Sequence, residues 1–395
     1  MKIPIVKPYF DNKEIEAVAS VLKSGWLVQG PMVAEFERMI ADFTKAKFAK
    51  ASSSCTTSLH LALLASGIGH GDKVLVPSFT YVASANAIEY TGATPVFIDI
   101  NPYTFNIDPQ KIADYLEKSR QSNVKGIMPV HLFGLAADMN PIMQIARQYN
   151  LKVIEDAACA LGTLYHDKHV GTFGNAGCFS LHPRKSITTG EGGITITNDK
   201  EIAIAIESLR NHGASVSDLA RHQKEGFLLP EFNVLGYNYR MTDLQGAIGI
   251  EQMKKLTFII NQKTKRARLY DEQLKGIDYL RLPYAPEGYR HVYQSYVAQI
   301  KNPTSKNLSL DELNQIRNKI MLKLEEKGIA TRQGTHAVHT LGYYRKKYNL
   351  KDGDYPNSLA ADRLSITLPL YVQMTDEEQE YVIDNLLAIA GGYFG

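Results

Sequence analysis

In the stretch T-F-G-N-A-G-C-F-S-L-H-P-R-K-S-I-T-T-G-E-G-G, Thr172 to Gly193, an apolar run leads into a basic pair and then a glycine turn. Ala176 to Leu181 has the length and composition of a buried strand. After it the chain turns at Pro183, passes Arg184-Lys185 and reaches Gly190-Glu-Gly-Gly193. A lysine held between a buried strand and a glycine turn can present its amine inside a cleft. Desolvation there disfavours the ammonium, and a neutral amine can form a Schiff base with an aldehyde. Taken alone, a lysine in such a loop is an ordinary solvated charge.

Upstream, Leu151 to Asp156 reads L-K-V-I-E-D and is followed by A-A-C-A-L-G. An aspartate at the carboxyl end of a buried strand lies where open α/β sheets bind ligands. A buried carboxylate needs a cationic or hydrogen-bonding partner. The protonated ring nitrogen of pyridoxal phosphate (PLP), which acts as an electron sink, would be one. An isolated Asp would be an ordinary helix N-cap, but with Lys185 downstream the cofactor reading is the better one.

These blocks, together with G-Y-N-Y-R-M-T-D-L-Q-G-A-I-G (Gly236 to Gly249), resemble the DegT/DnrJ/StrS family of sugar aminotransferases from about Trp26 to the end. The resemblance implies fold type I, the aspartate aminotransferase-like architecture. It also implies PLP as cofactor, with pyridoxamine phosphate (PMP) as its amino-carrying form. The implied reaction moves an amino group from glutamate or glutamine to a nucleotide-linked keto-sugar, a 4-keto-6-deoxyhexose being the commonest type. Two other readings remain open at this point: a sugar dehydratase, in which histidine replaces the lysine and His182 is nearby, and a non-catalytic regulator. The intact Lys185 and Asp156 speak against both.

By the same resemblance Lys185 carries the cofactor and moves the proton, while Asp156 partners the ring nitrogen. Ser54, Cys55 and Thr56, at a strand end and helix start, and Ser180 hold the phosphate, helix N-termini being ready anion sites. Cys55 stands where the family has glycine. Tyr81 stacks on one face of the ring and Ala158 lies on the other. Cys159 replaces the family's Gln or His near the phenolic oxygen and is a poorer hydrogen-bonding group. Asn238 reaches the phosphate of the partner subunit, which implies a homodimer with shared active sites. G-W-L-V-Q-G-P (Gly25 to Pro31) matches the family's entry to the site, and the Gly334 to His339 block a substrate-facing loop with no role assigned to its histidines.

The 395 residues are 44% hydrophobic and 22% charged, enough for a large core, and the net charge of +3 points to neither nucleic acid nor membrane. Three dispersed cysteines indicate no zinc site and no disulfide framework. The start M-K-I-P-I-V-K-P has no signal-peptide core, so a cytoplasmic setting is expected.

Alternation of apolar runs (Val74 to Val76, Pro95 to Ile98, Gly126 to Val130, Leu151 to Ile154, Ile194 to Thr197) with helical patterns predicts an α/β fold. Its sheet is mostly parallel and flanked by helices, with a smaller α+β C-terminal domain. The expected division is an N-terminal segment (1–25) packing with the small domain, a large PLP-binding domain (26–261) and a small domain (262–395). Further expectations are a helix from Asn12, one opening at Asp108-Pro109, and one opening at Thr242 that runs to about Ile260 and continues into a second. A strand from His291 to Ile300, a capping box at Thr375 and an irregular polar loop from Gly213 to Pro230 complete the reading.

Overall fold

The computed structural model describes residues 1–119, 123–215 and 231–394, so most of the loop expected at Gly213 to Pro230 lies outside the described residues. The main sheet is built from β1 (Phe48–Ser52), β2 (Lys73–Pro77), β3 (Thr94–Ile98), β4 (Val124–Ile127), β5 (Lys152–Asp156), β6 (Ala176–Ser180) and β7 (Gly193–Thr197). Their spatial order is β1-β7-β6-β5-β4-β2-β3. Pairing is parallel from β6 across to β3, and β7 runs antiparallel to both β6 and β1. The inner strands β2, β5 and β6 are buried on both faces, which is why they read as apolar runs rather than alternating ones.

The helices are α1 (Asn12–Ser24), α2 (Pro31–Thr44), α3 (Cys55–Ala65), α4 (Ala83–Tyr90), α5 (Pro109–Lys118), α6 (Met139–Gln148), α7 (Lys200–Leu209) and α8 (Asp243–Leu274). After them come α9 (Leu310–Glu326), α10 (Gly342–Tyr348), α11 (Pro356–Leu364) and α12 (Asp376–Phe394). Asp108 caps α5 with Pro109 in its first turn, Thr242 and Gln245 form a capping box on α8, and Thr375 and Glu378 form one on α12. The helix expected to break near Ile260 is one unbroken helix of 32 residues, so the division at 261/262 falls inside it.

The C-terminal third forms a second core around β8 (Leu280–Arg281), β9 (Tyr296–Ile300) and β10 (Ser365–Leu368), in the order β8-β9-β10. Ile3 belongs to this core and bridges to Ile329, while α1 lies against α8 through Glu14, whose carboxylate accepts from Lys255 at 2.6 Å. The strand expected from His291 starts only at Tyr296. Before it the chain is irregular: His291 and Tyr293 stack at 4.0 Å, and Tyr293 has a φ of 46°. That left-handed residue interrupts the extended run which the apolar pattern suggested.

One buried carboxylate lies next to Asp156 in β5, held by hydrogen bonds alone. Glu155 is fully buried and accepts from His131 Nε2 (2.9 Å) and from the backbone N–H groups of Gly171 (2.6 Å), Phe173 (2.8 Å) and Gly174 (2.7 Å). Burial alone would raise its pKa, but His131 and the N–H groups outweigh it and hold the carboxyl below the usual glutamate range. A depressed folded pKa gives stability that is complete above the ordinary glutamate pKa and lost as pH falls through the lower folded value. Glu155→Gln should therefore cost about 2–4 kcal/mol at pH 7, read from urea unfolding. The difference from the parent should shrink below about pH 4; an equal loss at pH 7 and pH 3 would contradict this account.

Candidate active site

Because β1, β5 and β6 run in one direction, their carboxyl ends share one edge of the sheet, and the antiparallel β7 begins there. This edge gathers Ser54 to Thr56 after β1, Asp156 at the end of β5, Ser180 at the end of β6 and Lys185 in the β6–β7 loop. The two halves of the expected site, far apart in the chain, are thus brought together by topology.

Asp156 is buried. Its Oδ2 accepts from the Ser84 hydroxyl at 2.7 Å and its Oδ1 from the Ala158 N–H at 3.1 Å. Burial pushes its pKa up, against the pull of Ser84, Ala158 and Lys185. A carboxylate desolvated in this way gains most from a positive partner, and a protonated ring nitrogen is one.

Lys185 donates from Nζ to Cys159 Sγ at 3.0 Å. Sequence reasoning expected burial to leave this lysine neutral. Burial does act in that direction, but the sulfur of Cys159, and then Asp156, outweigh it, and the Lys185 pKa is raised. The loop that carries it is held at several points. Gln294 Nε2 donates to the Arg184 carbonyl (2.7 Å), Leu181 N–H to the Gly192 carbonyl (2.9 Å), and Gln245 Nε2 to the Glu191 carbonyl (2.7 Å). His182 turns its Nδ1 to the Arg184 N–H at 3.2 Å, so its ring is engaged with its own loop while Lys185 reaches Cys159.

Ser54 caps α3 through a capping box with Thr57, leaving the first-turn N–H groups of α3 at the site edge. The Cys55 side chain is buried in the apolar cluster with Ile154, Ala176 and Cys178, so it does not fill the cradle where the family has glycine. Close approach is secured instead by Gly193: a Cβ there would meet the Ser54 carbonyl oxygen at 2.3 Å and the Cys55 nitrogen at 2.5 Å. Ser180 accepts from the His182 N–H at 3.3 Å. Tyr81 lies between the short strand Phe79–Thr80 and α4 with its ring 65% exposed at the site edge. Asn238 is exposed on its own chain and bridges to Asn211. A helix N-terminus, a serine, a buried carboxylate and a lysine on one sheet edge suit pyridoxal phosphate.

Several contributors were missed in the sequence. Ser84 fixes Asp156 across the sheet edge. His339 is buried, with Nδ1 2.6 Å from Ser78 Oγ, and His336–Ala337 pairs with Phe79–Thr80, stitching the C-terminal lobe to the strand before Tyr81. Arg184 and Arg332 line one small cleft at the junction of the lobes, together with Gln294 and Ser295. Neither guanidinium pairs with a carboxylate among the described residues; burial and then Arg332 lower the Arg184 pKa. The tolerance of Arg184 and Arg332 for each other indicates a place for an anion.

With this geometry in view, the relatives are informative. The chain is 36% identical over 390 residues to the spore coat polysaccharide biosynthesis protein SpsC of Bacillus subtilis, covering 99% of this chain and 97% of that one. It is 35% identical over 384 residues to the GDP-perosamine synthase of Caulobacter vibrioides, covering 97% and 96%. Among solved structures, a Streptococcus pneumoniae protein in its PLP form superposes with a TM-score of 0.89 at 26% identity over 100% of both chains. The family model for DegT/DnrJ/EryC1/StrS aminotransferases matches residues 8–387, and the chain therefore belongs to the DegT/DnrJ/EryC1/StrS aminotransferase family.

Proposed function

We propose that this aminotransferase uses pyridoxal phosphate, passing through pyridoxamine phosphate, to move an amino group from glutamate or glutamine to a nucleotide-linked keto-sugar. The observation that carries the reading is the buried Asp156 and the Lys185 amine on one sheet edge beside the α3 N-terminus. The GDP-perosamine synthase of Caulobacter vibrioides supports a sugar acceptor, and a 4-keto-6-deoxyhexose on a nucleoside diphosphate is the type proposed. The PLP and PMP forms of the Streptococcus pneumoniae structure support the cofactor.

The bound cofactor supplies an electron sink for the pair left when the donor loses its α-proton. The chain's own residues do the rest. Lys185 would anchor the cofactor through its amine and, when that amine is free, would hold and return the proton. Asp156 keeps a positive charge favoured at the ring nitrogen, with Ser84 and the Ala158 N–H fixing its orientation. Ser54, Cys55 and Thr56 offer first-turn N–H groups and hydroxyls to the phosphate, and Ser180 joins them. Tyr81 and Ala158 would flank the bound cofactor, Ala158 being small enough for close approach, and Cys159 would offer it a polar contact. Arg184 and Arg332 hold an anionic part of the substrate.

Asn238 is exposed on its own chain and, through the family resemblance, is assigned to the phosphate of a second copy, making a homodimer with shared sites. Sedimentation as a monomer would remove this part of the reading. A cytoplasmic setting is proposed with it; among the described residues no helix is long and apolar enough to cross a membrane.

The test separates the half-reactions. Glutamate or glutamine alone should shift the visible absorbance of the PLP-loaded protein. The resulting PMP form, freed of donor, should then aminate one of a panel of UDP-, GDP- and dTDP-linked 4-keto-6-deoxyhexoses. A donor half-reaction with no turnover on any of these sugars would overturn the substrate assignment.

A further inference from the structure

Three cysteines lie around the site, and they differ in what surrounds them. Cys55, in the first turn of α3, and Cys178, in β6, are buried, and burial raises the pKa of both thiols. Cys159, on the loop after β5, is only partly buried, and its sulfur receives the Lys185 Nζ at 3.0 Å. A neutral thiol is a weak acceptor, and a separation this short suits a charge-assisted contact between ammonium and thiolate.

We propose that Cys159 is the proton partner of Lys185: whenever Lys185 is not joined to the cofactor, a thiolate–ammonium pair there converts into a thiol–amine pair. One N–H bond of Lys185 breaks, one S–H bond of Cys159 forms, and no oxidant or co-reactant is needed. The pair is neutral overall before and after, so the transfer leaves no isolated charge in a desolvated place. It yields the amine form, which can attack a carbonyl or take a proton. The inference rests on Lys185 being the catalytic lysine of the proposed function. Cys159 then acts through Lys185, as a positioning residue for its proton.

The groups around the pair come from several elements. Asp156 at the end of β5 favours the ammonium on Lys185. His182 approaches from the same loop and has its own pKa lowered, first by burial. Lys263 of α8 is fully buried with its Nζ on the Gln294 carbonyl at 2.7 Å; burial brings its pKa down to about 7, so it changes charge near neutral pH. When charged it favours the thiolate and opposes the ammonium, so the balance within the pair shifts with pH.

The experiment reads the sulfur directly, on protein stripped of cofactor. Iodoacetamide alkylation of the Cys159 peptide is followed by mass spectrometry across pH in the parent, Lys185→Met and Lys185→Arg. In the parent, Cys159 should label readily at pH 7, with Cys55 and Cys178 unlabelled in the native state. Lys185→Met should raise the midpoint, slowing labelling at pH 7 by about tenfold or more, and Lys185→Arg should keep it low. The same midpoint in parent and Lys185→Met would overturn the proposal. Since neither cofactor nor substrate is present, an intact contrast without aminotransfer would count against the proposed function alone. In reloaded Cys159→Ser, the donor half-reaction should slow and its pH profile move, with the KM for the donor unchanged; an unmoved pH profile would also overturn the proposal.

Discussion

Lys185→Ala should abolish aminotransfer, lowering turnover by about four orders of magnitude or more, while the protein stays folded and keeps some cofactor. The size follows from two losses at one position: the covalent anchor and the proton carrier, each of the kind that contributes about 10²–10⁴-fold. Cofactor should be retained because the proposed phosphate contacts come from other elements, the α3 N-terminus and the end of β6. Removing the ammonium also deprives Asp156 of a favourable charge, so its carboxyl should rise further. Borohydride reduction of the loaded parent should fix the cofactor on the peptide containing Lys185, and no such label should form in the variant. Label on another lysine, such as Lys168 or Lys200, would refute the assignment.

What the sequence made legible follows from what is local. The inner strands β2, β5 and β6 were visible as apolar runs because burial on both faces removes any need for polar alternation, and helix starts were visible because their caps lie within four residues. Lys185 and Asp156 were proposed from the resemblance, Asp156 at the end of a buried strand and Lys185 between a strand and a glycine turn. Contacts between distant segments were not legible. Asp243 looked like the first residue of its own helix, yet it accepts from the N–H groups of Gly30, Met32 and Val33 and so caps α2, whose N-terminus has no side-chain cap of its own. Ser84 was hidden for the same reason: it lies in α4, and its partner Asp156 ends β5, 72 residues on. Glu155 and Asp156 are neighbours of one chemical type, and only the pleat separates them: Glu155 turns to His131 and a ring of N–H groups, Asp156 to the site. The Lys185 charge was misjudged because burial was weighed without Cys159, a partner that only the folded chain supplies.

Asp156→Asn tests the other half of the site, and its expected loss in turnover is on the order of a hundredfold or more, the scale of one strong electrostatic contact in a preorganised site. The substitution keeps the shape. The asparagine carbonyl can still accept one hydrogen bond, and its amide can donate to the Ser84 hydroxyl, which works as donor or acceptor. The fold should therefore be spared. Burial already disfavours the charge on Asp156, so a neutral isostere removes a desolvation cost along with the contact. The melting temperature should stay near the parent's or rise slightly while turnover falls, the pattern of a group kept for chemistry rather than for stability. Asp156→Ala serves as the contrast. It empties the space beside Ser84, removes the acceptor for the Ala158 N–H, and should lose stability as well as turnover. Near-normal turnover and cofactor affinity in a folded Asp156→Asn protein would mean that the ring nitrogen is partnered elsewhere, and the buried carboxylate would then need another explanation.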